Sequence, residues 1–347
     1  MVFIIIIAII VFILAAVQII THLVISDLFQ RAEYSKYHIG YDYDYFKKDY
    51  PRINVSFKSG ENTLQGYIYG SENDKGLIVL AHGIGSGHEY RLSEITWFVD
   101  KGWRVFAYDG TGCCTSEGNS IKGLPQSALD MDSALTFIEN DAELSALPKF
   151  TMGHSWGGYA AAAVLNFDHE IKAAATIAGY DRPMEMMNEF AESMMEKAAA
   201  LIYPFMWIDS RFSFGNNLDI SAVSGINKSN APVLVIHGKN DETVGFDRSS
   251  IISKSGKITN PNVEYYPIEG EYSTHIGVFF TEEANEYTKR LKDEKAEKAA
   301  EKYGSGEIPD EFSDEFFSTI DIKKATEPNI AMYEKINEFF ADKLENN

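Results

Sequence analysis

The feature that most constrains the fold is a regular alternation of strand-like and helix-like segments from residue 53 onward. Eight short runs are apolar or β-branched, at residues 53–58, 64–70, 76–81, 103–108, 149–153, 171–179, 232–237 and 263–268. Most of the later gaps hold helical patterns, as at residues 90–101, 124–139 and 156–166. Strands that alternate with helices indicate a mostly parallel sheet covered by helices on both faces. The short turn between the first two runs predicts an antiparallel hairpin.

Composition excludes several classes of protein. The 347 residues are 45% hydrophobic and 24% charged, which is typical of a globular chain and not of a disordered or fibrous one. The formal net charge of −20 repels phosphate backbones, so a nucleic-acid partner is not expected. The two cysteines, Cys113 and Cys114, are adjacent and form neither a disulfide framework nor a four-ligand zinc site. With no nucleotide-binding or metal-binding motif in the sequence, no metal or other cofactor is expected.

The N-terminus is apolar without interruption from Val2 to Val17, and the apolar stretch continues to Ile25. Its polar interruptions are Gln18, Thr21 and His22. About 20 such residues span a bilayer, so we predict a retained single-pass anchor over residues 1–26. A cleaved signal peptide is the alternative, but no basic residue precedes the run, the run is long, and no A-x-A site follows it. A buried core helix is disfavoured because such a helix is rarely apolar on every face.

The sequence does not decide on which side of the membrane the body lies. Arg31 and Lys36 follow the anchor and no basic residue precedes it, which favours a cytoplasmic body. An acidic body on the outer face fits equally well. We therefore divide the chain into the anchor, a juxtamembrane segment over residues 27–52 and a folded body over residues 53–347.

The sequence Gly153-His154-Ser155-Trp156-Gly157 directly follows the fifth strand-like run and precedes an alanine-rich helical segment. This is the G-x-S-x-G pattern in the strand–turn–helix context of a nucleophile elbow, which exposes the serine hydroxyl on a strained turn. A glycine-rich helix start with a surface serine is the alternative. A serine nucleophile needs a base, which in turn needs an orienting acid.

The order of nucleophile, acid and base along such a sheet points to the partners of Ser155. His275 is the only histidine after the last strand, where the base is required. The acid is expected after the preceding strand, where Asp241 stands, with its neighbour Glu242 as the alternative. His82 and His237 each end a strand just before a glycine and are expected to be structural.

Acyl transfer also needs two N–H donors for the oxyanion. The residue after the nucleophile, Trp156, supplies one backbone amide. The loop after the third strand, His82-Gly83-Ile84-Gly85-Ser86-Gly87, is expected to supply the other from Ile84. This loop is not a dinucleotide fingerprint, because His88 stands where the last glycine is required.

Together these motifs resemble the α/β-hydrolase superfamily, and within it the serine aminopeptidase-like and monoacylglycerol-lipase-like bacterial hydrolases. The resemblance covers about residues 53–280 and the final helix. It implies an α/β-hydrolase fold with a mostly parallel eight-stranded sheet and a helical cap, here preceded by one transmembrane helix. It also implies the triad Ser155, Asp241 and His275, with the oxyanion amides of Ile84 and Trp156. The chain departs from the family pattern at residues 109–116, where an arginine is missing and Cys114 replaces a glycine.

The cap is predicted over residues 180–231, which hold six of the ten methionines. An apolar stripe repeats there at helical spacing, formed by Met187, Phe190, Ala191, Met194, Ala198, Leu201 and Phe205. It either docks the cap on the body or forms an adaptable acyl-binding wall in which Met187 and Met194 contact substrate.

The C-terminal tail is longer than the fold requires. Residues 281–303 are highly charged and predict a solvated helix, and residues 304–321 are acidic and loop-like, with three phenylalanines as possible anchors on the body. We predict a charged insertion over residues 281–327 and a closing helix over residues 329–344, where an apolar stripe follows Pro328.

These features predict a membrane-anchored serine hydrolase acting on an ester, thioester or amide of a small hydrophobic acyl substrate through an acyl-enzyme. A serine aminopeptidase-like peptidase is one alternative, and a catalytically silent binding protein with the same fold is another. The expected partners are that acyl substrate and the membrane. The sequence indicates neither a protein partner nor an oligomeric state.

Overall fold

The structure is a computed structural model that describes residues 1–304 and 306–345. Its centre is one sheet of eight strands, namely β1 (Arg52–Ser59), β2 (Asn62–Tyr69), β3 (Leu77–Ala81), β4 (Arg104–Tyr108), β5 (Lys149–His154), β6 (Ile171–Ile177), β7 (Val233–Gly238) and β8 (Val263–Ile268). Their order across the sheet is β1-β2-β4-β3-β5-β6-β7-β8. The pairings of β1 with β2 and of β2 with β4 are antiparallel, and the others are parallel. This topology confirms the predicted mostly parallel sheet with a hairpin at its start.

Helices cover both faces of the sheet. In the described residues they are α1 (Val2–Leu28), α2 (Tyr43–Phe46), α3 (Leu92–Asp100), α4 (Gln126–Asn140), α5 (Trp156–Ala163), α6 (Pro183–Met195), α7 (Ala199–Phe214), α8 (Ala222–Ser229), α9 (Glu282–Tyr303), α10 (Asp310–Ser318), α11 (Ile322–Ala325) and α12 (Ile330–Glu345). Apolar residues of α3 and α12 form one core with the sheet, and those of α4, α5 and α8 pack on the opposite face. Strands β3, β4, β5 and β7 are buried at every position, which explains the continuously apolar runs at residues 77–81 and 233–236.

This arrangement brings the candidate catalytic loops to one edge. Parallel strands β3, β5, β6 and β7 are neighbours, so the segments that follow their carboxyl ends meet there. In the register, Gly153 at the end of β5 lies beside Ala81 on β3 and Thr176 on β6. Three strand ends, at residues 81, 153 and 176, therefore converge around the turn that follows β5.

The C-terminal helix α12 packs on the sheet. Its stripe of Met332, Ile336, Phe339 and Phe340 is buried in the same core as Phe150, whose ring lies 4.9 Å from that of Phe340. Burying a large apolar side chain contributes about 1.5–3 kcal/mol, so this stripe stabilises the body substantially. The proposed closing helix over residues 329–344 thus coincides with α12. Residue 305 of the proposed insertion and the last two residues of the proposed body lie outside the described residues.

The prediction of a loop over residues 304–321 was wrong, because α10 occupies half of that segment. Its acidic residues Asp310 and Glu311 lie in the first helical turn, where the helix dipole favours negative charge, so their composition resembled that of a loop. Phe316 packs against Leu291 of α9, and the Phe317 ring lies 5.3 Å from that of Tyr37. The insertion therefore contacts the juxtamembrane segment.

The juxtamembrane segment is bound to the body instead of forming a free tether. Ala32 forms a bridge with Cys113, and Gln30 forms one with Ser120. The Arg31 guanidinium donates to the carbonyl oxygens of Ser116, Gly118 and Cys114, the first two at 2.8 and 2.9 Å. The loop at residues 109–116, which has no arginine of its own, is thus held by an arginine from the juxtamembrane segment. Of the described helices, α1 alone is long and apolar enough to cross a membrane.

Candidate active site

Ser155 occupies the sharp turn between β5 and α5. Its backbone has φ 57° and ψ −114°, an unfavourable conformation for a residue with a side chain. The turn is held by the amide of Ser155, which donates to Ile177 O at 2.8 Å, and by the Ser155 carbonyl, which accepts from the amide of Tyr159. Strain of this kind, fixed by surrounding structure, is typical of functional sites. This is the geometry expected of a nucleophile elbow.

The glycines of the turn are required by close approach of backbone to backbone. A Cβ atom on Gly153 would lie 2.3 Å from the carbonyl oxygen of Gly157, and one on Gly157 would lie 2.1 Å from that of Ala81. Neither space accommodates a methyl group. The glycines of the G-x-S-x-G pattern therefore allow α5 to begin directly above the sheet.

His275 and Asp241 form a hydrogen-bonded pair at the same edge. The Nδ1 atom of His275 lies 2.8 Å from Oδ2 and 3.0 Å from Oδ1 of Asp241, and each residue is 7% exposed. The carboxylate also accepts from the amides of Thr243 and Val244. Burial acts to raise the pKa of Asp241, but hydrogen bonds from His237 and His275 outweigh burial, so the pKa falls well below its ordinary value. Asp241 is therefore an anion that can orient the imidazole.

The neighbouring carboxylate makes a different contact. Glu242 accepts from the backbone amide of His275 at 3.3 Å and is not hydrogen-bonded to its ring. The two histidines that were expected to be structural are buried. His82 Nε2 accepts from the amide of Gly110, and His237 Nε2 lies 2.8 Å from the carbonyl oxygen of Val244 and 3.2 Å from Oδ2 of Asp241.

His154 was not assigned a role from the sequence, yet it contacts the candidate base. Its Nε2 donates to the carbonyl oxygen of His275 at 2.9 Å, while Nδ1 accepts from Arg91 at 3.0 Å. Burial, together with the charge of Arg91, lowers the pKa of His154 well below its ordinary value, which keeps this ring neutral. His154 thus positions the backbone of a residue 121 positions away, and no local pattern signals such a contact.

An apolar cavity of about 150 Å³ opens beside Ser155. Its described lining consists of Leu28, Phe29, Ile84, Leu124, Ser155, Trp156, Tyr180, Met186, Met187, Phe190, Thr243 and Val244. A cavity of this size holds a group about as large as benzene. A larger depression of about 530 Å³ lies beside α6, but it is wide, lined by Glu185, Glu189 and Arg248 among others, and does not include Ser155.

Both candidate oxyanion residues line the same cavity as Ser155. Trp156 is the first residue of α5, where backbone amides have no partner within the helix and the helix dipole favours an anion. Ile84 precedes Gly85, whose φ of +67° turns the loop, and is 41% exposed at the cavity mouth.

The two methionines proposed to contact substrate are separated by the structure. Met187 lines the cavity beside Ser155, whereas Met194 is 70% exposed near the end of α6 and lies outside the cavity lining. Met187 lies in the first half of α6, where the helix packs against the body, whereas Met194 lies near the end of α6, where the helix no longer contacts the body. Leu28 and Phe29 are among the lining residues that the sequence did not indicate, because they belong to the end of the apolar N-terminal helix.

Comparison with protein families and solved structures agrees with this geometry. Residues 72–225 match the family model described as serine aminopeptidase, S33, a region that contains Ser155 and ends before Asp241 and His275. Comparison with curated proteins finds no match.

Solved structures with a similar fold include three from different organisms. An esterase of Pyrococcus furiosus is 17% identical with a TM-score of 0.53, over 79% of this chain and 98% of that one. The α/β hydrolase GrgF from Penicillium is 16% identical with a TM-score of 0.50, over 70% and 97%. Est1E from Butyrivibrio proteoclasticus, solved with ferulic acid, is 18% identical with a TM-score of 0.50, over 71% and 99%. At these identities the likeness establishes the fold. Together with the match over residues 72–225, it shows that the chain has an α/β-hydrolase fold.

Proposed function

We propose that this protein is a membrane-anchored serine hydrolase that cleaves an ester, thioester or amide of a hydrophobic acyl group. The observation that carries the proposal is the convergence of three features at one sheet edge. These are Ser155 on a strained elbow, a His275 ring hydrogen-bonded to a buried aspartate, and an apolar cavity beside the serine. The order of the residues along the chain is that of the α/β-hydrolase triad.

The proposed mechanism follows from these roles. His275 takes the proton of the Ser155 hydroxyl at Nε2 as the oxygen attacks the acyl carbonyl, while Asp241 at Nδ1 stabilises the imidazolium. The amides of Ile84 and Trp156 bind the oxyanion. His275 then gives the proton to the leaving group, the C–X bond breaks, and an acyl-Ser155 ester remains. Water, deprotonated by the same imidazole, attacks this ester and releases the acid with regeneration of the serine hydroxyl.

The nucleophile is tested by covalent labelling. A fluorophosphonate probe should label the full-length protein, and Ser155→Ala should abolish labelling without unfolding it. Ser133→Ala, a helix α4 serine that donates to the Leu129 carbonyl away from the site, is the matched control and should label normally. Absence of labelling in the natural protein would favour the silent binding scaffold, and labelling that persists in Ser155→Ala would refute the nucleophile.

The cavity favours an acyl esterase over an aminopeptidase. An aminopeptidase must bind a cationic α-amino group, for which a carboxylate is the usual partner. Among the described residues that line the cavity, none is an aspartate or glutamate. A panel of p-nitrophenyl esters of graded chain length, run beside aminoacyl amides, distinguishes the two. We expect esters with short apolar chains to react fastest. Faster cleavage of aminoacyl amides would favour the peptidase.

The contacts of α1 support its retention in the mature protein. Gln18 Nε2 donates to Phe205 O at 3.3 Å, His22 lies 2.8 Å from Asp209, and Leu28 lines the cavity. A leader that is removed has no need of such contacts. The intact mass of the purified protein should therefore include residues 1–26, and the protein should remain in the membrane after alkaline carbonate washing. A mass that lacks these residues would establish the signal-peptide alternative.

A further inference from the structure

The cap exposes a group of large apolar side chains, whose contact with water is energetically unfavourable. On α7, Leu201 is 74% and Phe212 is 88% exposed, and Ile208 lies between them on the same side of the helix. Met194 near the end of α6 is 70% exposed, and Trp207 of α7 is 41% exposed. Contiguous large apolar side chains on a surface usually mark a contact with a partner or a membrane.

This face adjoins the candidate membrane helix. Gln18 contacts Phe205 and His22 contacts Asp209, so both contacts join residues of α1 and α7 that are 187 positions apart. A constant separation means that the two helices run side by side in the same direction. On a helical projection, Leu201, Ile208 and Phe212 lie next to the line of Phe205 and Asp209 that contacts α1. The exposed face of the cap thus continues the exposed apolar surface of α1.

The polar residues of α1 are turned toward the cap. Gln18 contacts α7 and Thr21 is 5% exposed, while His22 contacts Asp209 at the edge of this interface with 62% of its side chain exposed. Polar groups are costly in lipid and are normally found facing a neighbouring helix. In contrast, the apolar residues on the other sides of α1, such as Leu23 and Val24, are each 61% exposed. This division into a polar protein-facing side and an apolar outer side is typical of a helix in lipid.

The same helix leads into the proposed active site. α1 ends at Leu28, and Leu28 and Phe29 form part of the wall of the cavity that Ser155 also lines. Phe190, on the opposite wall, belongs to the cap and is 40% exposed. The cavity therefore lies between the end of α1 and the cap.

We propose that the cap face formed by Met194, Leu201, Trp207, Ile208 and Phe212 inserts into the leaflet beside α1, so that the cavity receives the carboxyl end of lipid acyl chains directly from the bilayer while the rest of each chain stays in the leaflet. The assignment of a lipid ester rests on the proposed hydrolase function, whereas insertion of the cap does not. The bilayer is the occupant because the face is continuous with α1. Trp207 suits the membrane–water boundary, with the Arg211 guanidinium 5.1 Å from its ring centre.

Insertion is tested by quenching of tryptophan fluorescence. The full chain is reconstituted in phosphatidylcholine vesicles with or without acyl chains brominated near the headgroup. Of the four tryptophans, Trp103 and Trp156 are buried in the body and Trp97 of α3 is half-buried against Tyr333 of α12, so Trp207 should account for most of the quenching by bromolipid. We expect the natural protein to be quenched and Trp207→Phe to lose most of this effect. Equal quenching in both, or none in the natural protein, would overturn the proposal, including the case in which a second copy of the chain covers the face.

Delivery from the bilayer is tested with two substrates. The Leu201→Gln/Phe212→Gln double variant should hydrolyse water-soluble p-nitrophenyl butyrate normally, because neither residue lines the cavity. On 4-methylumbelliferyl oleate embedded in vesicles, its kcat/KM should fall about tenfold, since the two substitutions weaken the insertion of the cap face into the leaflet. The matched control is Ile53→Gln/Tyr265→Gln, which removes exposed apolar residues from the edge strands β1 and β8.

The outcomes separate the two proposals. An equal loss on both substrates, or an equal loss in the control variant, would refute delivery through the cap face. If the natural protein hydrolyses neither substrate, the proposed function fails, and bromolipid quenching still decides whether the cap inserts.

Discussion

Two histidine–aspartate pairs in this molecule have nearly the same geometry and different surroundings. In each, the histidine Nδ1 lies 2.8 Å from an aspartate oxygen, in His275–Asp241 and in His88–Asp109. His88 and Asp109 are fully buried, and the Nε2 atom of His88 lies within 3.2 Å of the hydroxyl of Tyr69. His275 retains 7% exposure and belongs to the edge where Ser155 stands.

The difference teaches that the pair alone does not indicate a catalytic site. The imidazole of His88 also has the Arg52 guanidinium at 3.0 Å from Nε2, so its second nitrogen is enclosed by protein groups. Asp109 in turn accepts from the hydroxyl of Tyr34, which joins the juxtamembrane segment to the sheet. The buried pair therefore acts as a structural clamp, whereas we assign catalysis to the pair beside the serine.

The largest expected effect is a loss of kcat when the aspartate of the His275–Asp241 pair is replaced. Asp241→Asn should lower kcat by about 10⁴-fold, because the amide no longer fixes the required tautomer of His275. Steady-state hydrolysis of p-nitrophenyl butyrate measures the loss, and Asp247→Asn, an exposed aspartate nearby, is the control. A kcat close to that of the natural protein would remove Asp241 from the proposed triad.

The next largest effect is a loss of stability when the aspartate of the buried His88–Asp109 pair is replaced. Asp109→Asn should lower the free energy of unfolding by about 3–5 kcal/mol, because removing one partner leaves buried groups uncompensated. Denaturant titration in detergent micelles measures it. The kcat of the protein that remains folded should be close to natural. A large loss of kcat with unchanged stability would show that the buried pair has the catalytic role.

A smaller effect concerns pH. Burial acts to raise the pKa of Asp109, but the contacts with His88 outweigh it and lower the pKa below its ordinary value. The aspartate therefore stabilises the fold above its unfolded pKa of about 3.9, and this contribution decreases as the pH falls through that value and below.

Each unit by which the pKa is lowered corresponds to about 1.4 kcal/mol. Consequently, the difference in unfolding free energy between the natural protein and Asp109→Asn should shrink as the pH is reduced from 5 toward 2. Denaturant titrations at a series of pH values measure this difference. A difference that grows in acid would contradict the assigned ionisation of Asp109.

The smallest effect compares neighbouring carboxylates. Glu242→Gln should reduce kcat by less than about fivefold, because it perturbs one long hydrogen bond worth about 1 kcal/mol or less. The assay is that used for Asp241→Asn, and the two variants are measured side by side. A larger loss in Glu242→Gln than in Asp241→Asn would reverse the choice of acid.

The sequence predicted those features that depend on residues close together in the chain. Eight strands, the glycines around Ser155 and the segments after each strand could be located because apolar runs and tight turns depend on neighbouring residues. The proximity of His275 and Asp241 followed from one additional rule, that parallel strands end at one edge. These features suffice to locate the candidate site.

Other features depend on contacts between distant segments and could not be read in this way. His154 contacts the backbone of a residue after the last strand, and Phe29 reaches the cavity from the end of the N-terminal helix. Met194 shares the helical spacing of Met187, but the bounds of α6 relative to the body decide which of them faces the cavity. In each case the missing information is the relative placement of elements.

The attachment of Arg31 and Ala32 to the loop after β4 has a kinetic consequence. In the proposed membrane-anchored hydrolase, a flexible linker would let the body sample a volume of solution above the membrane, and the rate would then depend on the bulk concentration of substrate. Here the bridge at Ala32 and the Arg31 hydrogen bonds fix the body at one height and orientation relative to α1. For a lipid substrate the relevant variable becomes its mole fraction in the leaflet, so dilution with inert lipid should slow turnover even when the total amount of substrate is unchanged.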